Sequence, residues 1–253
     1  MPTLTVDGRR VTVRDGAYLL EAVRAAGVSI PALCHHEAVE PFGGCRLCVV
    51  DIWKPGWDPD WFRLVVSCLY PAEDGIQVHT ATPRVIETRR VVLDLLLARC
   101  PTTPLIRDLA RQYGVEQTTY RPRENPDDCI LCGLCYRICE KIGPCAISAQ
   151  DRGVNREVAP PLREPPRDCI GCLACAEVCP TGHIRYDDGP FLRRIWGKEF
   201  EMLRCESCGR GVVTRAQAEW LAARGLEVEP LCDACKQRRT ARVAAGLAPT
   251  GTR

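Results

Sequence analysis

CILCGLCYRIC at residues 129–139 and CIGCLACAEVCP at residues 169–180 are two copies of one cysteine pattern. The first places thiols at Cys129, Cys132, Cys135 and Cys139. The second places them at Cys169, Cys172, Cys175 and Cys179, followed by Pro180 where the first copy has Glu140. That exchange alters a local turn and removes no ligand. A cubane cluster needs four thiolates converging on the corners of a cube. Three come from a tight loop at x2 spacing, and in two-cluster ferredoxins the fourth belongs to the other motif. This rule gives Cys129, Cys132, Cys135 and Cys179 to one [4Fe–4S] cluster. It gives Cys139, Cys169, Cys172 and Cys175 to another. Zinc sites present CxxC pairs separated by a longer stretch, so the doubled motif argues for iron. Residues 126–192 are expected as a βαβ-like dicluster ferredoxin domain, with a Pro-rich connector over 158–167. Little apolar core is available there, so the clusters are expected to stabilise the domain and the apo form to fold poorly.

Upstream, residues 4–6 and 9–13 are short β-rich runs around Asp7-Gly8, a hairpin signal. Residues 17–26 follow as a helix, with Leu19, Leu20 and Val23 on one face and Gly27 as its stop. Strand, hairpin, strand, helix opens a β-grasp fold. Residues 49–53, 63–67 and 76–79 supply further strands of a domain over 1–82. This scaffold bears Cys34-x10-Cys45-x2-Cys48-x19-Cys68, with Gly43-Gly44 before the inner pair. A [2Fe–2S] rhomb takes two thiolates per iron, and the inner pair either splits across the irons or caps one. Plant-type ferredoxins separate their first two cysteines by four residues; the ten here exclude that type. Between two of the strands, KPGWDPDWF (54–62) reads as a solvent-side hairpin. Its Trp57 and Trp61 either form an interface anchor or fold back on their own domain. Helical periodicity over 83–98 and 104–113 makes residues 83–125 a helical linker, and the polar, Pro-containing stretch 121–128 marks its end.

Toward the C-terminus, Cys205-x2-Cys208-Gly209 and Cys232-x2-Cys235 bracket a helix expected over 216–224. Two CxxC pairs at that separation read as a zinc-ribbon-like or treble-clef-like module over 199–238. Zinc is the reading that the spacing favours. A further [4Fe–4S] cluster is the alternative, because tetrathiolate geometry does not separate zinc from iron. The Arg- and Ala-rich tail, 239–253, is expected to be flexible, fraying or helical only in part.

Composition bounds what remains. There are 18 cysteines in 253 residues, and the N-terminal stretch has no apolar signal segment. A cytoplasmic location, where thiols stay reduced and bind metals, is the expectation. A formal net charge of +2 argues against a nucleic-acid partner. No apolar run reaches the ~20 residues that a spanning helix needs, so direct membrane insertion is not expected. No GxGxxG fingerprint, P-loop or paired-carboxylate site appears, which leaves the chain without evident substrate chemistry and without catalytic residues of its own.

The run IPALCHHEAVEPFGGCRLCVVDI (30–52) resembles the N-terminal domain of the large iron–sulfur subunit of respiratory complex I. It also resembles the small diaphorase subunit of bidirectional hydrogenases, and related formate dehydrogenase and [FeFe]-hydrogenase N-termini. The two four-cysteine motifs resemble the same group, and the resemblance covers about residues 1–190. It implies a non-catalytic subunit that relays electrons between a flavin- or NAD(H)-binding subunit and a catalytic subunit, such as a hydrogenase or formate dehydrogenase. A stand-alone ferredoxin-like carrier is the alternative. An extra [4Fe–4S] cluster held by one His and three Cys is frequent in that family. Residues 83–125 have no His and one cysteine, Cys100, so that cluster is expected to be absent. Cys145 stands where the family often has a small or apolar residue, and Cys100 and Cys145 both read as non-ligands. His35, His36 and His183 adjoin ligand cysteines, with a solvated loop role expected for the first two. The fold class is therefore α+β: a β-grasp [2Fe–2S] domain, a helical linker, a dicluster [4Fe–4S] domain and a small C-terminal metal module. The expected cofactors are one [2Fe–2S] cluster, two [4Fe–4S] clusters and one zinc.

Overall fold

The computed structural model describes residues 1–124 and 126–246. The N-terminal third forms β1 (Thr3–Val6), β2 (Arg9–Thr12), α1 (Leu19–Ala25), β3 (Val49–Trp53), β4 (Arg63–Val66) and β5 (Gln77–His79). The five strands make one mixed sheet in the order β2-β1-β5-β3-β4, with β1 and β5 parallel. Alternating Leu4 and Val6 on β1 face Leu19, Ala22 and Val23 of α1, with Val50, Ile52, Ile76 and Val78 completing the core. Helix α1 begins two residues later than its periodicity suggests. Ala17 and Tyr70 have their carbonyls engaged by Ala72 and Leu19 N–H groups, so this stretch is held as extended backbone before the helix starts. Residues 54–62 connect β3 to β4. Trp57 packs onto the sheet core, while Trp61 stacks on it at 4.6 Å and stays 53% exposed. Trp57 thus folds back on its own domain, and Trp61 leaves about half of its surface in solvent.

Helices α2 (Pro83–Arg99) and α3 (Pro104–Gln112) follow, each with proline in its first turn. The Thr82 hydroxyl caps α2 by accepting from Val85 N–H, which satisfies an otherwise unpaired first-turn donor. Val85, Arg89, Leu93 and Leu97 lie four residues apart and form the buried stripe of α2. Leu93 and Leu97 share one apolar core with Ile106 and Ala110 of α3, with Cys34, Cys45 and Leu47, and with Ile130, Cys132 and Ile138.

The next elements are α4 (Leu134–Ile142), β6 (Ser148–Gln150), β7 (Glu157–Ala159), α5 (Ala174–Glu177), β8 (Tyr186–Asp188), β9 (Leu192–Ile195), β10 (Lys198–Arg204), β11 (Gly211–Thr214), α6 (Arg215–Ala222) and α7 (Asp233–Ala244). Strands β6 and β7 pair antiparallel, so the Pro-rich connector begins inside a strand before a 3₁₀ turn at Pro161–Arg163. Strands β8 to β11 form an antiparallel meander. It runs unbroken through residues 192–199, where the sequence reading separates the dicluster domain from the metal module. Trp196 and Gly197 turn β9 into β10 with φ of 55° and 72°, the left-handed pair of a two-residue hairpin. A tryptophan is no turn signal, so this hairpin is hidden in the sequence. Helix α7 carries the chain to Ala244, and residues 247–253 of the expected flexible tail lie outside the described residues. No helix among the described residues is long and apolar enough to cross a membrane.

Candidate metal centres

Cys34, Cys45, Cys48 and Cys68 are all buried at the edge of the β-grasp sheet. The Cys45 N–H donates to Cys34 Sγ at 3.3 Å. The Cys45 and Cys68 thiols hold Cys34 down to about 2, and Cys68 holds Cys48 down to about 6. Cys45 and Cys68 are pushed up in return, each first of all by Cys34. Four buried sulfurs that close favour negative charge on some members at the cost of the others. A thiolate-binding cationic metal group would satisfy such a set, because the thiolate is the ligand form.

The two ferredoxin motifs line two cavities. Cys139, Cys169, Cys172 and Cys175 surround one, closed by Ile147, Leu173 and Trp196. Cys129, Cys132, Cys135 and Cys179 surround the other, with Thr181 and His183 on its wall. The loops share a backbone trick. Leu131 and Gly133 in the first have φ of 55° and 77°, and Gly171 and Leu173 in the second have 68° and 65°. Left-handed residues at alternate positions turn successive N–H groups toward one side, forming an anion-receiving nest. Burial pushes the Cys132 thiol up to about 11 and Cys175 to about 12, and raises Cys129, Cys135, Cys139 and Cys169 as well. Thiols in apolar walls, beside inward-facing amides, are suited to a group that brings its own positive charge.

Both cavities are braced from outside their motifs. Arg99 of α2 donates to Cys129 O at 2.6 Å, and Thr103 donates to Asp128, whose neighbour Asp127 accepts from Cys129 N–H. The meander grips the second loop more completely. Lys198 Nζ donates to the carbonyls of Pro166, Arg167 and Cys169 at 2.7–3.1 Å. Thr214 donates to Ile170 O, and buried Arg193 donates to Gly171 O at 2.8 Å while pairing with Asp188. A Cβ on Gly171 would meet both Phe200 and Thr214 at 2.9 Å, so only glycine lets the meander approach. Trp196 reaches the cavity wall from the β9–β10 turn. Its buried Nε1 completes no hydrogen bond of full geometry, yet it sits near enough to Cys175 to favour that thiolate against burial. None of these braces carries a sequence signature.

The cavity lined by Cys129, Cys132, Cys135 and Cys179 also touches the β-grasp domain. A Cβ on Gly44 would lie 4.0 Å from Cys132 O. Arg137 of α4 donates to Glu40 O and rests over the Phe42 ring at 5.0 Å.

Cys205, Cys208, Cys232 and Cys235 bring their sulfurs within 4.8 Å of one another. Backbone N–H donation at Cys232 holds Cys205 down to about 6. The Ser207 hydroxyl lowers Cys235, but the Cys208 and Cys232 thiols outweigh it and push Cys235 up to about 11. Of the remaining cysteines, Cys100 is buried among Leu97, Ile106 and Ala110, with burial pushing its thiol up to about 12. Cys145 is exposed. His36 Nδ1 accepts from Ala38 N–H within its own loop. Burial, and then Arg24, lower the His35 pKa.

Residues 1–83 match the family described as a 2Fe-2S iron-sulfur cluster binding domain, and residues 161–212 match that of a 4Fe-4S dicluster domain. The second span includes Cys205 and Cys208, yet their sulfurs gather with Cys232 and Cys235 rather than at the Cys169 cavity. NADP-reducing hydrogenase subunit HndD of Solidesulfovibrio fructosivorans is 30% identical over 72% of this chain and 35% of its own length. An NADH-quinone oxidoreductase subunit of Rhizobium meliloti is 28% identical over 92% of this chain and 30% of its own. The chain spans about a third of the length of the curated relatives it matches. A solved NAD⁺-reducing [NiFe]-hydrogenase in its H₂-reduced state superposes with a TM-score of 0.54 at 30% identity. The match covers 63% of this chain and 74% of that one.

Proposed function

We infer that this chain, which belongs to the family of iron–sulfur subunits found in NADH-quinone oxidoreductases and NAD(P)-reducing hydrogenases, relays electrons between a flavin- or NAD(H)-binding subunit and a catalytic subunit. The clusters would supply one-electron transfer, a chemistry that belongs to the cofactor. The chain's own residues hold, space and insulate them. Cys34, Cys45, Cys48 and Cys68 would hold a [2Fe–2S] cluster. Cys129, Cys132, Cys135 and Cys179 would hold one [4Fe–4S] cluster, and Cys139, Cys169, Cys172 and Cys175 a second.

The observation that carries this reading is spatial order. Gly44 adjoins the Cys132 carbonyl, and Cys34, Cys45 and Cys132 sit in one apolar core. Each ferredoxin motif lends its last cysteine to the other's cavity. These contacts support an electron path that runs from the β-grasp domain through the two ferredoxin motifs toward the meander. The exposed Trp61 face is the surface proposed to meet a partner subunit.

Cys205, Cys208, Cys232 and Cys235 would hold one zinc ion in a small zinc-ribbon-like module. A tetrahedral Zn–S bond of about 2.3 Å sets neighbouring sulfurs roughly 3.8 Å apart. The spread of no more than 4.8 Å here suits one ion, whereas a cubane holds its thiolates farther apart. Anaerobic purification with metal analysis and EPR of the dithionite-reduced protein tests the whole assignment. About ten irons and one zinc per chain, with one [2Fe–2S] signal and coupled [4Fe–4S] signals, are expected. Zinc without iron would end the electron-transfer reading. About fourteen irons without zinc would make the C-terminal set a further cluster.

A further inference from the structure

We propose that Trp196 donates its indole N–H to a sulfur of the cluster held in the Cys139–Cys169–Cys172–Cys175 cavity, and thereby raises that cluster's reduction potential. The proposal rests on the electron-relay reading above. Three observations converge on it. Trp196 lines this cavity alongside the four cysteines. Its Nε1 is buried and completes no hydrogen bond of full geometry among the described residues, a state that buried donors rarely keep, and the thiol it bears on is Cys175, one of the four cysteines of this cavity. Its backbone holds φ of 55°, a conformation costly for a bulky side chain and sustained by the turn that aims the ring inward.

The repeat supplies both cavities with the same loop conformation, so ligand type alone does not distinguish the two clusters. The indole enters from the β9–β10 turn, outside the repeat, and reaches one of them. Reduction adds negative charge to the cluster. A donor aimed at its sulfurs stabilises the reduced state and moves the potential upward.

The full chain, purified without oxygen, allows a direct test. Trp53, Trp57, Trp61 and Trp220 line neither cluster cavity. Tryptophan labelled with ¹⁵N at the indole should then give one resolved hyperfine coupling to a reduced [4Fe–4S] signal in pulsed EPR. Trp196→Phe should abolish that coupling and lower the midpoint of one [4Fe–4S] cluster in a redox titration, leaving the other in place. A [4Fe–4S] signal without ¹⁵N coupling would overturn the proposal even if the variant failed to retain iron. An unchanged midpoint in a fully loaded variant would overturn it too. Absence of any [4Fe–4S] signal from the unsubstituted chain would overturn both this proposal and the relay reading.

Discussion

Arg89 is 2% exposed, and its guanidinium donates to Leu47 O at 3.1 Å, Val49 O at 2.8 Å and the Tyr113 hydroxyl at 3.3 Å. It is tolerated inside the core because its donors find fixed acceptors, two of them on the strand entry beside Cys48. Replacing it with methionine keeps most of the volume and strands those carbonyls. A loss of about 1–3 kcal/mol follows from leaving a buried polar group unpaired. Chemical denaturation should show it, and the [2Fe–2S] absorbance should be lost before the other clusters. Asp94 gives a pH prediction at the same scale. Burial raises its pKa, but bonds from Thr119 and Thr118 outweigh that and hold the carboxyl below its ordinary value. A depressed folded-state pKa contributes stability above the unfolded value of about 3.9, lost as pH falls through the folded one. Acidification through that window should expose residues 115–121 to hydrogen exchange, and Asp94→Asn should remove the dependence. Equal exchange in both proteins across that range would refute the assignment.

Among the elements, α2 is a strut with a job at each end. At roughly 1.5 Å per residue, its 17 residues span about 25 Å. Arg84 near its start pairs with buried Asp51 of β3, and Arg99 at its end holds Cys129 O. The meander plays the corresponding part for the second ferredoxin loop, where Lys198, Arg193 and Thr214 occupy the carbonyls of residues 166–171. Arg193→Met leaves Gly171 O and Asp188 without their donor. We expect a cost of about 1–3 kcal/mol and faster loss of one [4Fe–4S] cluster, seen as a two-phase bleaching under air. Single-phase bleaching at the unsubstituted rate would show that the meander does not guard that cluster.

Across the whole molecule, β10 links two cysteine sets. It starts at Lys198, which grips the second loop, and ends at Arg204, next to Cys205. Phe200 between them packs into the dicluster core. Because metal binding and folding are coupled, emptying the C-terminal site should loosen β10 and then the second cluster. Paired Cys205→Ser and Cys235→Ser substitutions should remove zinc at unchanged initial iron content. They should also speed release of about four irons to a chelator, the content of one cubane. Iron release at the unsubstituted rate would separate the two centres.

Legibility in the sequence followed the range of the forces. The cysteine loops were readable because cluster ligation is a local constraint: the x2 spacing and the left-handed backbone positions both fall within one short run of consecutive residues. The β-grasp strands and the helical span of α2 were readable because burial imposes periods of two and of three to four residues on short windows; the face that α2 buries was not, since Val85, Val92, Leu95 and Leu96 also recur at helical spacing while the buried stripe runs through Arg89 and Leu95 is left exposed. The meander was not, since YDD and LRRI are short and charged and only KEFEMLR alternates. Those strands form because Arg193, Lys198 and Thr214 find acceptors on a loop up to 44 residues away. Likewise, nothing near Gly44 or Trp196 announces what each approaches. Gly44 nears a carbonyl 88 positions on, and Trp196 nears thiols on both repeats. Contacts of that span leave no periodic trace along the chain, so which centres adjoin, and which donor faces which cavity, is settled by packing alone.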